Sequence, residues 1–221
     1  MKTKKEAISI INILKDFYSD ADCTLDFKNP YEMTIAVMLA AQCTDARVNM
    51  VTPALFKKYP NPESLSKADL KDIEKLIHSC GFYKNKAKNA KACSKMIMEK
   101  YNGKVPDSME KLQELPGIGR KCANVIMLEA FHNPQGIAVD THAKRVSNRV
   151  GFSSKKEPEQ IEKDLLKVIP KEYYYDVNHL FVTHGREICD SRNPKCDKCP
   201  IKDYCNTYKK ISKSWSSFFV K

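Results

Sequence analysis

The chain has 221 residues, 42 % hydrophobic and 29 % charged, and its 38 Lys and Arg against 27 Asp and Glu give a formal charge of +11. That is enough apolar material for one large domain or two small ones, and it excludes a disordered or collagen-like chain. The longest apolar run, residues 33 to 41, falls short of the ~20 residues that cross a bilayer, and no apolar leader follows the charges of Met1–Glu6, so a compact cytoplasmic protein, nucleoid-associated in a bacterium, is expected.

Along the chain the dominant period is helical. Thr3-Lys-Lys-Glu6 has the form of a capping box, and Ile8, Ile11, Leu14 and Phe17 follow at helical spacing. A helix is predicted over 31–42. Leu70, Ile73, Leu76 and Ile77 repeat the pattern up to Gly81, which takes a helix C-terminal position. The next predicted helix, 84–100, lies in a stretch to residue 104 with seven Lys and one acid. Helices at 107–114 and 120–131 precede a breaker cluster, His132-Asn-Pro-Gln-Gly136, which marks a division. Further helices are predicted at 140–150, 158–168 and 174–186. Residues 185–221 carry nine Lys or Arg and four acids, so this stretch and 84–104 together hold the whole excess charge. One Lys-rich helix is an ordinary solvated face; two such patches fit a polyanion, most simply nucleic acid. No stretch alternates as a strand does, and the fold class is all-α.

Two of the seven glycines fall in Leu115-Pro116-Gly117-Ile118-Gly119, between two predicted helices. Pro116 stops the first, and the glycines permit positive φ and close backbone approach. Either a plain tight turn or a phosphate-binding hairpin satisfies this pattern; in the second, Leu115 and Ile118 anchor the turn while N–H groups at the following helix N-terminus meet the phosphate. Arg120 and Lys121 open that helix. A lysine there, beside a second cation, in a helix's positive field and partly buried, is biased toward the neutral amine, a nucleophile for a carbonyl-level carbon; the alternative is a solvated charge on phosphate. Asp140, before the pattern Ala143, Val146, Val150, reads as an N-cap, and its ionised carboxylate could also stabilise an oxocarbenium ion or accept a proton.

Nine cysteines, an odd number without a secretory signal, point to a reducing compartment. Five are scattered, and Cys43 and Cys122 read as packing residues because neither has a second cysteine nearby in sequence. The other four, Cys189-x6-Cys196-x2-Cys199-x5-Cys205, form a soft tetrahedral donor set for zinc or an iron–sulfur cluster; a single Cys-x2-Cys knuckle flanked by lone cysteines favours the cluster. Arg186, Arg192, Lys195, Lys198 and Lys202 surround these ligands in sequence.

Glu114-Leu-Pro-Gly-Ile-Gly-Arg-Lys-Cys-Ala-Asn-Val125, Ala138-Val-Asp-Thr-His-Ala-Lys-Arg-Val146, Ala41-Gln-Cys-Thr-Asp45 and the cysteine spacing together resemble the endonuclease III family of DNA glycosylase/AP lyases, in the helix-hairpin-helix superfamily. The resemblance runs from about residue 25 to 207. It implies two helical domains with an active-site cleft between them: residues 22–132 as a central helical domain, and residues 1–21 with 133–221 as a domain bearing a [4Fe–4S] cluster on Cys189, Cys196, Cys199 and Cys205. It implies Lys121 as the nucleophile, Asp140 as the catalytic aspartate, and Gln42 and Phe82 beside the gap left by a flipped base, with Phe82 standing where the family often has leucine. Gly117, Gly119 and Arg120 join Leu115 and Ile118 in the implied DNA-binding hairpin. The implied partner is duplex DNA with damaged bases, oxidised or ring-saturated pyrimidines above all, or abasic sites, bound by a monomer with no membrane association. Monofunctional adenine- or thymine-mismatch glycosylases share the hairpin and cluster but typically lack a lysine at this position; a non-catalytic helix-hairpin-helix binding module requires neither Lys121 nor Asp140.

Overall fold

A computed structural model describes residues 1–216; Lys221, the end of the second basic stretch, lies outside the described residues. Among the described residues there are twelve α-helices and no strand. The chain divides into two compact units, one formed by Cys23–Gln135 and the other by Met1–Asp22 with the chain from Gly136 onward.

Helix α1 (Lys4–Phe17) starts at the expected capping box: Glu6 N donates to Thr3 Oγ1 at 3.2 Å and Thr3 N to Glu6 Oε2 at 2.9 Å. Each bond satisfies a donor that the helix start would leave without a partner.

Within Cys23–Gln135, α2 (Pro30–Leu39) is the buried centre. Eight of its ten residues are buried, so it has no polar stripe. Asn29 caps it, accepting from Glu32 N at 2.9 Å. The unit continues through α3 (Asp45–Lys58), α4 (Pro62–Lys67), α5 (Leu70–Leu76), α6 (Tyr83–Tyr101), α7 (Met109–Glu114) and α8 (Arg120–Glu129), with α3, α6 and α8 packed on α2. Met33, Leu39, Leu55, Leu65, Ile73 and Ile97 are fully buried in the shared core.

The sequence pattern predicts neither α3 nor α4. Pro53 reads as a breaker, yet α3 runs through it, giving up the bond its missing N–H would make to the Asn49 carbonyl; burial of Val48, Val51, Thr52 and Leu55 outweighs that loss. Gly81 does not cap a helix either. Helix α5 ends at Leu76, the Ile77 N–H donates to Ile73 O at 3.1 Å, and Gly81 stands further on, packed against the loop after α2.

In the second unit, α9 (Thr141–Val150), α10 (Pro158–Val168), α11 (Tyr174–Glu187) and α12 (Asn206–Ser216) join α1. Ile10, Ile11 and Leu14 of α1 share a core with Val146, Phe152, Leu165 and Phe181, and α11 packs on both α1 and α9. The first helix is thus integral to a unit whose other members lie more than a hundred positions away. Ile10→Ala should destabilise the holoprotein by about 3 kcal/mol, the usual cost of a cavity at a fully buried site, read as a lower urea midpoint; an unchanged midpoint would show that α1 is dispensable to that core.

Candidate active site and cysteine cluster

The hairpin between α7 and α8 is a type II turn. Ile118 N donates to Leu115 O at 3.0 Å, Pro116 takes the second position, and Gly117 takes the third with φ of 82°. A Cβ on Gly117 would lie 3.0 Å from Asn89 Cβ, so the residue answers two demands: a left-handed backbone and close approach to α6. Leu115 and Ile118 are buried at 2 % and 4 % exposure and anchor the turn from below. Gly119 is the N-cap of α8 and offers no side chain; Arg120 and Lys121 follow in a first turn without an acid. Lys121 is exposed, so the burial invoked for it from sequence is not a property of the free chain.

In the same unit the structure brings Gln42 and Phe82 together. Gln42 lies after α2 with φ of 52°, and Phe82 precedes α6 with φ of 56°. A Cβ on Gly81 would lie 3.4 Å from Gln42 O, so the two loops touch backbone to backbone. Both residues are exposed; Phe82 keeps 65 % of its surface in solvent. Left-handed backbone costs non-glycine residues energy, and such strain gathers at working sites.

The first basic stretch is less uniform than its composition. Lys95 pairs with Glu99 at 3.6 Å, Lys100 pairs with Glu114, and Lys86 is buried. Exposed Lys84, Lys88 and Lys104 remain, with half-buried Lys91.

Asp140 belongs to the other unit, where it caps α9: its Oδ1 accepts from Ala143 N at 2.7 Å. Further along α9, Arg145 Nε donates to Cys189 O at 2.8 Å and Nη2 to Gly185 O at 2.7 Å. One turn later Arg149 donates to Asp190 O at 2.6 Å and Ser191 O at 2.8 Å, with Nη1 3.5 Å from Cys189 Sγ. Sequence reasoning missed both arginines. Their spacing of four on a helix was the available signal, but backbone carbonyls are partners that no sequence motif marks.

Cys189, Cys196, Cys199 and Cys205 line one cavity of about 270 Å³, together with Arg149, Arg192, Lys202 and Tyr208. Lys195, Lys198 and Arg186 lie exposed nearby in sequence. Burial pushes the Cys199 thiol up to about 11, and the other three cysteines push it the same way. Cys196 is raised by burial and then by Cys205 and Cys189. Thiols gathered this closely, with Cys196 and Cys199 held back from ionising by burial and by their neighbours, are a donor set that wants a cationic centre.

The profile of the HhH-GPD superfamily of base excision DNA repair proteins matches residues 35–171, and that of the iron–sulfur binding domain of endonuclease III matches 189–205. Endonuclease III of Synechocystis sp. is 45 % identical over 202 residues, 91 % of this chain and 92 % of that protein. That of Bacillus subtilis is 42 % identical over 96 % of this chain and 97 % of its own. The chain belongs to the endonuclease III family. A solved structure of a trapped endonuclease III–DNA covalent intermediate superposes with a TM-score of 0.90 at 42 % identity, covering 96 % of this chain and all of the other.

The family's iron–sulfur group fits the residues present: four free cysteines converge on one cavity, and Arg149 supplies positive charge beside them. Anaerobically purified protein should therefore carry iron and acid-labile sulfide at about four of each per chain. One zinc per chain and no sulfide would overturn the cluster assignment.

Proposed function

We propose that the chain releases oxidised pyrimidines from duplex DNA and cuts the strand 3′ to the resulting abasic site through a Schiff base on Lys121. As an endonuclease III family member it is a DNA glycosylase with AP lyase activity in base excision repair. The observation that carries the residue assignment is the hairpin: a rigid type II turn ends on a helix start without a side-chain cap, and Lys121 stands in that helix's first turn. A helix N-terminus of this kind takes a phosphate, and an amine in its first turn is then within reach of the adjoining sugar.

In this reading the target nucleotide leaves the stack, and Gln42 and Phe82 occupy the gap. The Lys121 amine attacks C1′ as the bond from C1′ to the base nitrogen breaks. The base departs with a proton, and the sugar opens to a Schiff base. Loss of a C2′ proton then expels the 3′ phosphate, and water returns the lysine. Asp140 stabilises the positive charge that develops on the sugar and helps take the proton from Lys121. Exposed Lys84, Lys88 and Lys104 and the basic residues of the cysteine loop hold the phosphate backbone. That a solved relative is trapped as a covalent intermediate with DNA supports the covalent route.

Borohydride added during turnover on an abasic-site duplex should trap a covalent protein–DNA adduct, and Lys121→Ala should abolish it; an undiminished adduct removes Lys121 from this role. Asp140→Asn separates two jobs of one side chain. Asparagine caps a helix about as well as aspartate, so the fold should persist while base release falls about a hundredfold or more, the usual scale for losing a catalytic proton acceptor. If instead base release is normal, Asp140 serves only as the cap of α9.

A further inference from the structure

Five cysteines lie outside the iron–sulfur ligand set, and two of them meet in space. Cys43 follows α2, next to Gln42; Cys80 precedes α6, two positions before Phe82. Their thiols are near enough that Cys43 opposes ionisation of Cys80. The backbones touch as well, since Gly81 packs against the Gln42 carbonyl. Cys80 is 1 % exposed, whereas Cys43 is half-buried. Beside them Lys86 is 5 % exposed, and its Nζ is buried without a hydrogen-bond partner. A buried ammonium in that state gains from any anion formed next to it. Burial and then Cys43 push the Cys80 thiol up to about 11, while Lys86 and Arg47 oppose them.

We propose that Cys43 and Cys80 are a redox-modifiable dithiol, which hydrogen peroxide converts to a disulfide tying together the two loops that carry Gln42 and Phe82. The order of events follows from exposure. The Cys43 thiolate attacks one oxygen of the peroxide, the O–O bond breaks, and the departing hydroxide takes up the proton the thiol had released and leaves as water, so Cys43 becomes a sulfenic acid. That step removes the negative charge that had competed with ionisation of Cys80, and Lys86 favours the Cys80 thiolate. The Cys80 sulfur attacks the Cys43 sulfur, the S–O bond breaks, and a second water leaves with the remaining thiol proton. Two thiols lose two electrons and one peroxide becomes two waters.

The consequence for activity rests on the proposed function. Gln42 and Phe82 must move into the stack when a base leaves it, and a covalent tie at their roots restricts both. Reduced holoprotein is treated with a slight excess of hydrogen peroxide, quenched with N-ethylmaleimide, digested and analysed by mass. The expected product is a peptide pair joined through Cys43 and Cys80 and released by dithiothreitol. Maleimide on both residues, or either residue joined to another cysteine, overturns the proposal. In Cys80→Ser, Cys43 should stop at a sulfenic acid that dimedone traps. Cross-linked protein should release base roughly tenfold more slowly and recover with dithiothreitol, while Cys43→Ser should come through the same peroxide treatment unslowed. Unchanged release in the cross-linked protein overturns the link to these loops. Failure of the reduced protein to act on any lesion would instead overturn the proposed function, with the cross-link still readable by mass.

Discussion

Helix α9 is tied down along its length, and the cysteine loop depends on those ties. The loop from Cys189 to Cys205 contains only single 3-10 turns, at Cys196–Lys198 and Lys202–Tyr204, so its backbone cannot satisfy itself as a helix does. Arg145 and Arg149 supply what is missing, aiming charged donors at the carbonyls of Gly185, Cys189, Asp190 and Ser191. Guanidinium donors are suited to this because their planar forks reach several acceptors in fixed directions. The opposite face of α9, Ala143, Val146 and Val150, is sunk in the core beside Phe152 and Phe181, so the arginines work from a fixed base. Asp140 caps the same helix. A ten-residue helix is a rod of about 15 Å, so one anchored element carries both the cap residue Asp140 and the two arginines that hold the cysteine loop.

The other unit is organised around strain held by burial. Among the described residues the non-glycine positions with positive φ are Gln42, Phe82, Asn102 and His132. Asn102 is explained locally: it ends α6, where asparagine suits the left-handed cap. Phe82 has no such explanation. It begins a helix with no side-chain cap, and its exposed ring adds little to the core. Each such residue costs on the order of 1–3 kcal/mol, and the burial of α2 and its neighbours offsets it. Strain that contributes nothing to packing is understandable if Phe82 acts on something outside the protein, as the proposed gap-filling role requires.

What could be read from sequence had local causes. The capping box at Thr3, the turn Leu115-Pro116-Gly117-Ile118 and the cap at Asp140 each depend on residues within four positions, and the structure has all three. The losses are long-range. Helix α3 was hidden because Pro53 is a breaker by every local rule, and only core contacts override it. Gly81 looked like a helix end because a glycine followed an apolar period; its true constraint is a carbonyl 39 positions earlier. Cys43 seemed solitary for the same reason, since its partner Cys80 is adjacent in space only. Composition overstated the first basic stretch, because charge counts do not register that Lys95 and Lys100 are paired and Lys86 buried.

The exposure of Lys121 divides the labour between charge and chemistry. From sequence, burial was to help make the amine neutral, but in the free chain that side chain stands in solvent. Water screens an exposed charge, so the fields of Arg120 and the α8 N-terminus act weakly on it until something excludes the water. On the proposed mechanism the DNA does so. Phosphate docked on the hairpin neutralises part of the positive field, while the duplex surface removes solvent from the lysine; the two effects oppose each other, and desolvation is the one that favours the neutral amine. In the proposed mechanism it is docking that buries the amine which makes the nucleophile, and that ties Schiff-base formation to a fully seated duplex.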